Sequence, residues 1–398
     1  MKKNLTMMAF VACAALTIVS CSNDEVTDSA VKQEQQAVTF GTYVGRGVQS
    51  RGTVMDDTAL QTDNFGVMAS YTKTANFASS DTPNFMFNQE VMYSGGAWTY
   101  SPVKYWPMEN GARLSFFAYA PYSSNANVAV ATTNTTAGYP SVNVTCPTDL
   151  KDMVDFVAAK KENVERGSGT TPDVVDFTFG HKMTRLELFA KVSKNVNASS
   201  NKTSVFIREV KLDAGDGTED NLYSAGKYLF ETDTWDFSNA TKVNDMSLSS
   251  ILDLQTASFG AVVGQEYSQQ SIEVESSAVR LFPTDQYLFL VPSTKDGDSE
   301  TGLTGGNAYA AITYDIVTAD ASLAKGYSIS THTKKVFLPT SSSLTTPSGT
   351  GILKQGVAYK LTFNIALEEV KVEASVTPWS TAVGVDPESN VTHSEQDL

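Results

Sequence analysis

Val357-Ala358-Tyr359-Lys360-Leu361-Thr362-Phe363-Asn364-Ile365-Ala366-Leu367 alternates apolar residues with small or polar ones without a break. Successive side chains on an extended chain point to opposite faces, so six apolar residues at period two put one face of a strand into a core. Val370, Val372, Ala374 and Val376 alternate in the same way with Lys371, Glu373, Ser375 and Thr377, which predicts a second strand and a tight turn at Glu368-Glu369. Earlier in the chain, Val38, Phe40 and Val44 share one face of a short extended run, and Leu114, Phe116 and Ala118 do the same beside Tyr119. Helical patterning is confined to residues 247–254 and to a turn at 320–325. Long stretches rich in Ser, Thr, Asn and Gly, at 123–138, 165–171 and 339–351, read as loops. The chain is therefore expected to be all-β, most economically two β-sandwiches in series.

A boundary is expected near residue 183. Val175, Phe177 and Phe179 alternate up to Gly180, His181-Lys182-Met183-Thr184 interrupts, and Leu186, Leu188 and Ala190 begin a new alternation. This gives an N-terminal domain over 37–182 and a C-terminal domain over 183–380, followed by a polar tail at 381–398. One long bent strand inside a single domain is the alternative. The chain length suits two domains of about 100–200 residues each.

At the N-terminus, Lys2 and Lys3 precede an apolar run from Leu5 to Val19 that ends in Ile18-Val19-Ser20-Cys21. The run is too short to span a bilayer comfortably and reads as an export signal over residues 1–20. A small residue before a cysteine fits lipoprotein processing, which would leave Cys21 as an acylated first residue. Two or more acyl chains give stable attachment where one is marginal. Residues 21–36 are polar and without apolar periodicity, as expected of a flexible tether. Loss of residues 1–20 removes two lysines and no acids, taking the formal net charge from −15 to −17. Such a surface repels nucleic acid and anionic headgroups, so contact with a membrane is expected through the lipid alone. Only Cys146 then remains beside Cys21, so no intramolecular disulfide is expected.

Catalytic signatures are missing from the sequence: there is no Gly-x-Ser-x-Gly, no phosphate-cradling Gly-rich loop, no His-Glu-x-x-His and no Cys-x-x-Cys. His181, His332 and His393 lie far apart, and a lone histidine at a strand end is read as a structural residue. Neither an enzyme nor a cofactor is expected. The acidic loops from Asp213 to Asp220 and from Asp296 to Glu300 offer carboxylates for calcium, but neither has the full spacing, and the second has Thr301 where an EF-hand loop needs glycine. Solvated turns explain both, and no metal is assigned. Tyr100, Tyr105, Trp106, Phe116, Phe117, Tyr119 and Tyr122 crowd one stretch. Sugar-binding modules present such rings as platforms, yet most of these fall on strand faces where a sandwich core needs bulk.

Several short motifs, spread across nearly the whole chain, carry a resemblance. They are the lipobox at Cys21, Val38-Thr39-Phe40-Gly41-Thr42-Tyr43 followed by Arg51-Gly52-Thr53, Tyr105-Trp106-Pro107 with Leu114-Ser115-Phe116-Phe117-Ala118-Tyr119-Ala120-Pro121, Phe177-Thr178-Phe179-Gly180-His181, and Val376-Thr377-Pro378-Trp379. In their order and spacing the chain resembles the fimbrillin family of Mfa-like and FimA-like lipoprotein pilus subunits and surface adhesins of gut and oral Gram-negative anaerobes of the Bacteroidota. The resemblance implies two transthyretin-like β-sandwich domains and outer-membrane, cell-surface or fimbrial localisation. Its partners would be other fimbrial subunits and a host or bacterial surface ligand.

It further implies assembly by strand exchange. A trypsin-like protease would cut behind the first strand, at Arg46 or Arg51, with Arg46 nearer the strand end; never-cut loop arginines are the alternative. Loss of the strand bearing Val38, Phe40, Thr42 and Val44 would open a groove for a neighbour's C-terminal segment. Backbone pairing and apolar pockets supply the physical basis. Residues 37–44 would span about 26 Å at ~3.3 Å per residue. Residues 380–398 offer only Ala382, Val383, Val385 and Val391 among acids and Pro387, a poor donor strand that favours a tip or accessory adhesin over a stalk subunit. Asp28-Ser29-Ala30 and Asp57-Thr58-Ala59 resemble O-glycosylation acceptors, and Ser22-Asn23-Asp24-Glu25 an outer-surface sorting signal. The rival reading is a surface glycan-binding lipoprotein, which exposed Trp and Tyr on one sandwich face would favour.

Overall fold

The computed structural model describes residues 35–44, 54–122, 126–167, 173–192, 203–216, 222–248, 272–283, 286–293, 307–324, 326–339, 353–366, 370–378 and 391–393. The first nine strands are β1 (Thr39–Val44), β2 (Phe65–Tyr71), β3 (Met86–Ser94), β4 (Ala97–Thr99), β5 (Arg113–Ala120), β6 (Val128–Val130), β7 (Ser141–Thr145), β8 (Val157–Glu165) and β9 (Val174–His181). Next come β10 (Thr184–Val192), β11 (Thr203–Asp213), β12 (Tyr223–Leu229), β13 (Thr234–Lys242), β14 (Met246–Ser247), β15 (Ile272–Val274), β16 (Val279–Arg280) and β17 (Leu288–Leu290). The chain closes with β18 (Tyr309–Ala319), β19 (Tyr327–Phe337), β20 (Val357–Ile365), β21 (Val370–Pro378) and β22 (Val391–His393). A short helix, α1 (Asp57–Asp63), lies between β1 and β2. The fold is all-β.

Four sheets account for these strands. A seven-stranded sheet runs β1-β9-β8-β5-β2-β3-β4. A six-stranded sheet has the order β16-β10-β20-β21-β22, with β17 also on β10, and a five-stranded sheet the order β14-β11-β18-β19, with β15 also on β11. The fourth, β13-β12-β7-β6, joins strands from both sides of residue 183 by pairing β7 with β12 from Ser141↔Leu229 to Thr145↔Ala225. Residues 182–183 form the link between β9 and β10.

In β20, Tyr359, Leu361, Phe363 and Ile365 are all buried, as their spacing predicts. Ala358 and Thr362 on the opposite side are buried as well, because β20 is an inner strand between β10 and β21. The Glu368-Glu369 turn lies outside the described residues, although Ile365 pairs with Val370 on either side of it. β5 is buried on both faces. Its Leu114, Phe116, Ala118 and Ala120 enter one apolar cluster with β1, β2 and β9, while Phe117 and Tyr119 enter a larger cluster that continues through β10, β11 and β20.

Two local expectations are corrected. Ser247 does not begin a helix but pairs with Lys211 as part of β14, and the buried Leu248 donates its N–H to Val210 O at 3.0 Å. Burial of Leu248 beside a sheet edge outweighs local helical pattern there; residues 249–254 lie outside the described residues. Conversely, α1 is a helix that the apolar pattern does not signal. It is capped by Asp56, whose Oδ1 accepts from Ala59 N at 2.7 Å, but it buries Leu60 alone and so leaves no periodicity to read. Residues 320–324 form turns, with Leu323 N donating to Asp320 O.

Candidate functional site

β1 is the edge strand of the seven-stranded sheet, paired in parallel with β9 from Thr39↔Val174 to Val44↔Phe179. Its inward residues reach the core: Val38 is 1% exposed, Phe40 6% and Val44 2%. Phe40 sits in a socket of four rings. It stacks on Phe177 at 5.7 Å between centroids, meets Tyr100 at 5.4 Å, and meets Phe65 and Phe116 edge-on at 6.0 and 6.1 Å. Burial of such side chains stabilises by about 1.5–3 kcal/mol each, so β1 is held by its rings and aliphatics as much as by its backbone.

Polar contacts fix the strand at both ends. At its start, Val38 N donates to Lys104 O at 2.9 Å, Trp106 N donates to Gln36 O at 2.9 Å, and the Tyr100 hydroxyl donates to Val38 O at 2.8 Å. Burial pushes the Tyr100 phenol above its ordinary pKa, which keeps it a donor. In the middle, Trp98 Nε1 donates to Thr42 Oγ1 at 2.9 Å, bringing β4 at the far edge of the same sheet against β1. At its end, Val44 N donates to Asp57 Oδ1 of α1 at 2.8 Å. β1 thus lies between β9, which supplies backbone pairing, and β4, which supplies one side-chain bond.

The chain resumes in a fixed position after β1. Val54 and Met55 are each 3% exposed, and Met55 N donates to Asp155 Oδ2 at 2.8 Å. The same oxygen lies 2.9 Å from His181 Nδ1, so His181 ties the end of β9 to this segment. Arg46 and Arg51 both fall between the anchored Val44 and the anchored Val54, and they lie outside the described residues, as does Cys21. Severing that stretch would leave β1 attached by non-covalent contacts alone.

Of the predicted residues, the structure brings Val38, Phe40 and Val44 together on one buried face, with Thr42 half-buried beside Trp98. The seat itself, made by Phe65, Trp98, Tyr100, Phe116, Phe177 and Asp57, was not assigned from sequence, since its members come from five separate segments. In the aromatic stretch, Tyr100, Trp106, Phe116, Phe117 and Tyr119 are buried, while Tyr105 is exposed. Among the described residues no group of three or more His, Cys, Asp or Glu could hold a metal ion. In the acidic loop that begins at Asp213, both carboxylate oxygens accept backbone N–H groups, from Gly215 at 2.7 Å and Asp245 at 2.8 Å; residues 217–220 and 296–300 lie outside the described residues. Burial pushes the Cys146 thiol up to about 12, so it is protonated and inert at neutral pH. No helix among the described residues is long and apolar enough to cross a membrane.

Comparison with known proteins adds to this geometry. The family described as fimbrillin-like matches residues 51–379. The chain is 29% identical over 391 residues to the fimbrium subunit Fim1C of Phocaeicola vulgatus, covering 92% of this chain and 94% of that one. It is also similar to the crystal structure of a fimbrial protein from Bacteroides vulgatus, with 25% identity and a TM-score of 0.67 over 86% of this chain and 99% of the other.

Proposed function

The chain belongs to the fimbrillin-like family, and we propose that it is a fimbrial subunit displayed at the cell surface, exported as a lipoprotein through Cys21 and assembled by strand exchange at the seat of β1. The observation that carries this reading is the construction of β1. It is an edge strand whose Phe40 and Val44, with Val38 just before it, are deeply buried, and the one covalent link from it to the fold proper, residues 45–53, contains both Arg46 and Arg51. Proteolysis there would convert β1 from a tethered to a dissociable element. Its departure would expose an aromatic trench together with the unpaired N–H and C=O groups of β9. An incoming extended segment satisfies both at once, which is the physics of β-augmentation.

The family is one of structural fimbrial subunits, and the activity proposed is polymerisation and partner contact rather than chemistry. Burial of five rings of the 100–122 stretch favours this over a sugar platform, which needs exposed rings. The test is trypsin treatment of the chain lacking residues 1–20, followed by intact mass and a gel for denaturant-resistant oligomers. Loss of the segment ending at Arg46 or Arg51 together with a ladder of oligomers is expected. A chain that is cut there and stays monomeric, or that resists cutting, would overturn the strand-exchange reading.

A further inference from the structure

We propose that Asn110-Gly111 is a site of spontaneous covalent modification, at which the folded chain converts Asn110 to aspartate and isoaspartate through a cyclic imide. The site lies outside the seat of β1, and its chemistry does not depend on strand exchange.

Such a conversion needs a backbone nitrogen with little around it, a side-chain amide free to turn towards that nitrogen, and access for water. Of the asparagines in the chain only Asn110 precedes a glycine; every other precedes a residue whose side chain would crowd the attacking nitrogen. Glu109-Asn110-Gly111-Ala112 is a β-turn closed by Ala112 N donating to Glu109 O at 3.2 Å. Gly111 has a φ of +73°, the positive value that the third residue of a type II turn requires and that glycine adopts without strain. Asn110 and Gly111 are both exposed, and a Cβ built at Gly111 would meet nothing nearer than Thr74 Cγ2 at 3.8 Å. Among the described residues neither the Gly111 N–H nor the Asn110 side chain makes a hydrogen bond. By contrast, the side-chain amides of Asn64, Asn84 and Asn163 are tied to Glu90, Tyr71 and Phe77.

Gly111 N gives its proton to solvent and attacks Asn110 Cγ. The N–Cγ bond forms, the Cγ–Nδ2 bond breaks, and Nδ2 takes up a proton and leaves as ammonia, so that a cyclic imide remains. Water then opens the ring. Attack at Cγ frees Gly111 N and gives aspartate, whereas attack at the main-chain carbonyl carbon of Asn110 gives isoaspartate, with the chain now running through the former side chain. Water is the only co-reactant, and because the ammonia is lost the modified chains accumulate with time.

Either product replaces a neutral amide by a carboxylate that is ionised at neutral pH. It stands next to Glu109, whose Oε2 accepts from the Tyr71 hydroxyl at 2.7 Å. Isoaspartate also adds a methylene to the backbone within the turn, which the bond from Ala112 N to Glu109 O does not accommodate. Ala112 is 3% exposed, and Arg113 N donates to Lys73 O at 2.6 Å, so the distortion is passed to the start of β5.

The test holds the chain from Cys21 onward in warm, mildly alkaline buffer, beside a synthetic peptide of residues 105–113, and follows both by mass and chromatography. Trypsin releases that same peptide from the chain, with Asn110 as its only asparagine. Loss of the parent peptide is expected, with two isomeric products of equal mass, ammonia released in step, and a rate that rises with pH because the deprotonated amide attacks. The folded chain should convert no more than about 10-fold more slowly than the free peptide, and Asn110→Gln, which must close a larger ring, should slow conversion at least about 10-fold. A folded chain that stays intact while the free peptide is converted would show that the turn protects Asn110 and would overturn the proposal. Unchanged conversion of the Asn110→Gln chain would overturn it equally, by placing the reaction elsewhere.

Discussion

β1 and β19 each close one edge of a sheet, β1 beside β9 and β19 beside β18, yet they are held in opposite ways. β19 pairs with β18 along eleven residues, from Tyr309↔Phe337 to Ala319↔Tyr327, but of its own side chains only Val336 is fully buried. Apart from Ile329, its outer surface is Ser, Thr, His and Lys, with Lys335 Nζ 3.6 Å above the Tyr309 ring and Thr331 Oγ1 donating to Asp315 Oδ1 at 2.6 Å. That is the composition of an edge protected against further pairing. β1 pairs over only six residues, but it plugs an aromatic socket. A net backbone hydrogen bond contributes about 0.5–1.5 kcal/mol and a buried apolar side chain about 1.5–3 kcal/mol, so a short ladder with rings can match a long ladder without them. Stripping β19 would remove one fully buried side chain, Val336, whereas stripping β1 opens a four-ring socket that something apolar must refill.

The contrast can be broken by substitution. Phe40→Ala in the uncut chain should have the largest effect, a loss of about 3–5 kcal/mol in denaturant unfolding, since it empties the four-ring socket. A smaller loss would mean the socket collapses and that β1 is no plug. Trp98→Phe should cost about 1 kcal/mol, seen as faster hydrogen exchange across β1 with little change in β19. Asp57→Ala removes the acceptor of Val44 N, with an expected cost of about 1 kcal/mol and faster exchange concentrated at Val44.

A pH series sharpens the same comparison. The folded pKa of Tyr100 is raised by burial, so its contribution is complete below the unfolded value of 10.0 and is lost as pH rises through the folded value. Release of β1 from the cut chain should therefore quicken above about pH 10, and Tyr100→Phe should remove that dependence. At the small end, Ile329→Ala in β19, 40% exposed, should alter stability by no more than about 0.5 kcal/mol. A loss comparable with that at Phe40 would erase the distinction between the two edges.

The inward face of β1 was legible because Val38, Phe40 and Val44 alternate with polar or small residues, and the same holds for β20. What could not be read was the partner of each face. Phe177 comes from β9, Phe116 from β5, Phe65 from β2 and Tyr100 from the loop after β4, and nothing in their linear spacing signals that they surround one ring. In β5 the spacing of Leu114, Phe116 and Ala118 marks one face, while the burial of Phe117 and Tyr119 on the other depends on what packs against it. α1 was hidden because a seven-residue helix with one buried leucine carries a cap signal but no period.

By itself the sequence determined the all-β class and placed two arginines behind the first strand. Each is a local property of side-chain order, charge or a short motif. Only the tertiary structure decided that β1 is an edge strand parallel to β9, that β4 closes against it through Trp98 and Thr42, and that β7 and β12 pair across residue 183. Those outcomes depend on which strands become neighbours, and neighbours are chosen by long-range packing of faces whose sequences say they are apolar but not what they will meet.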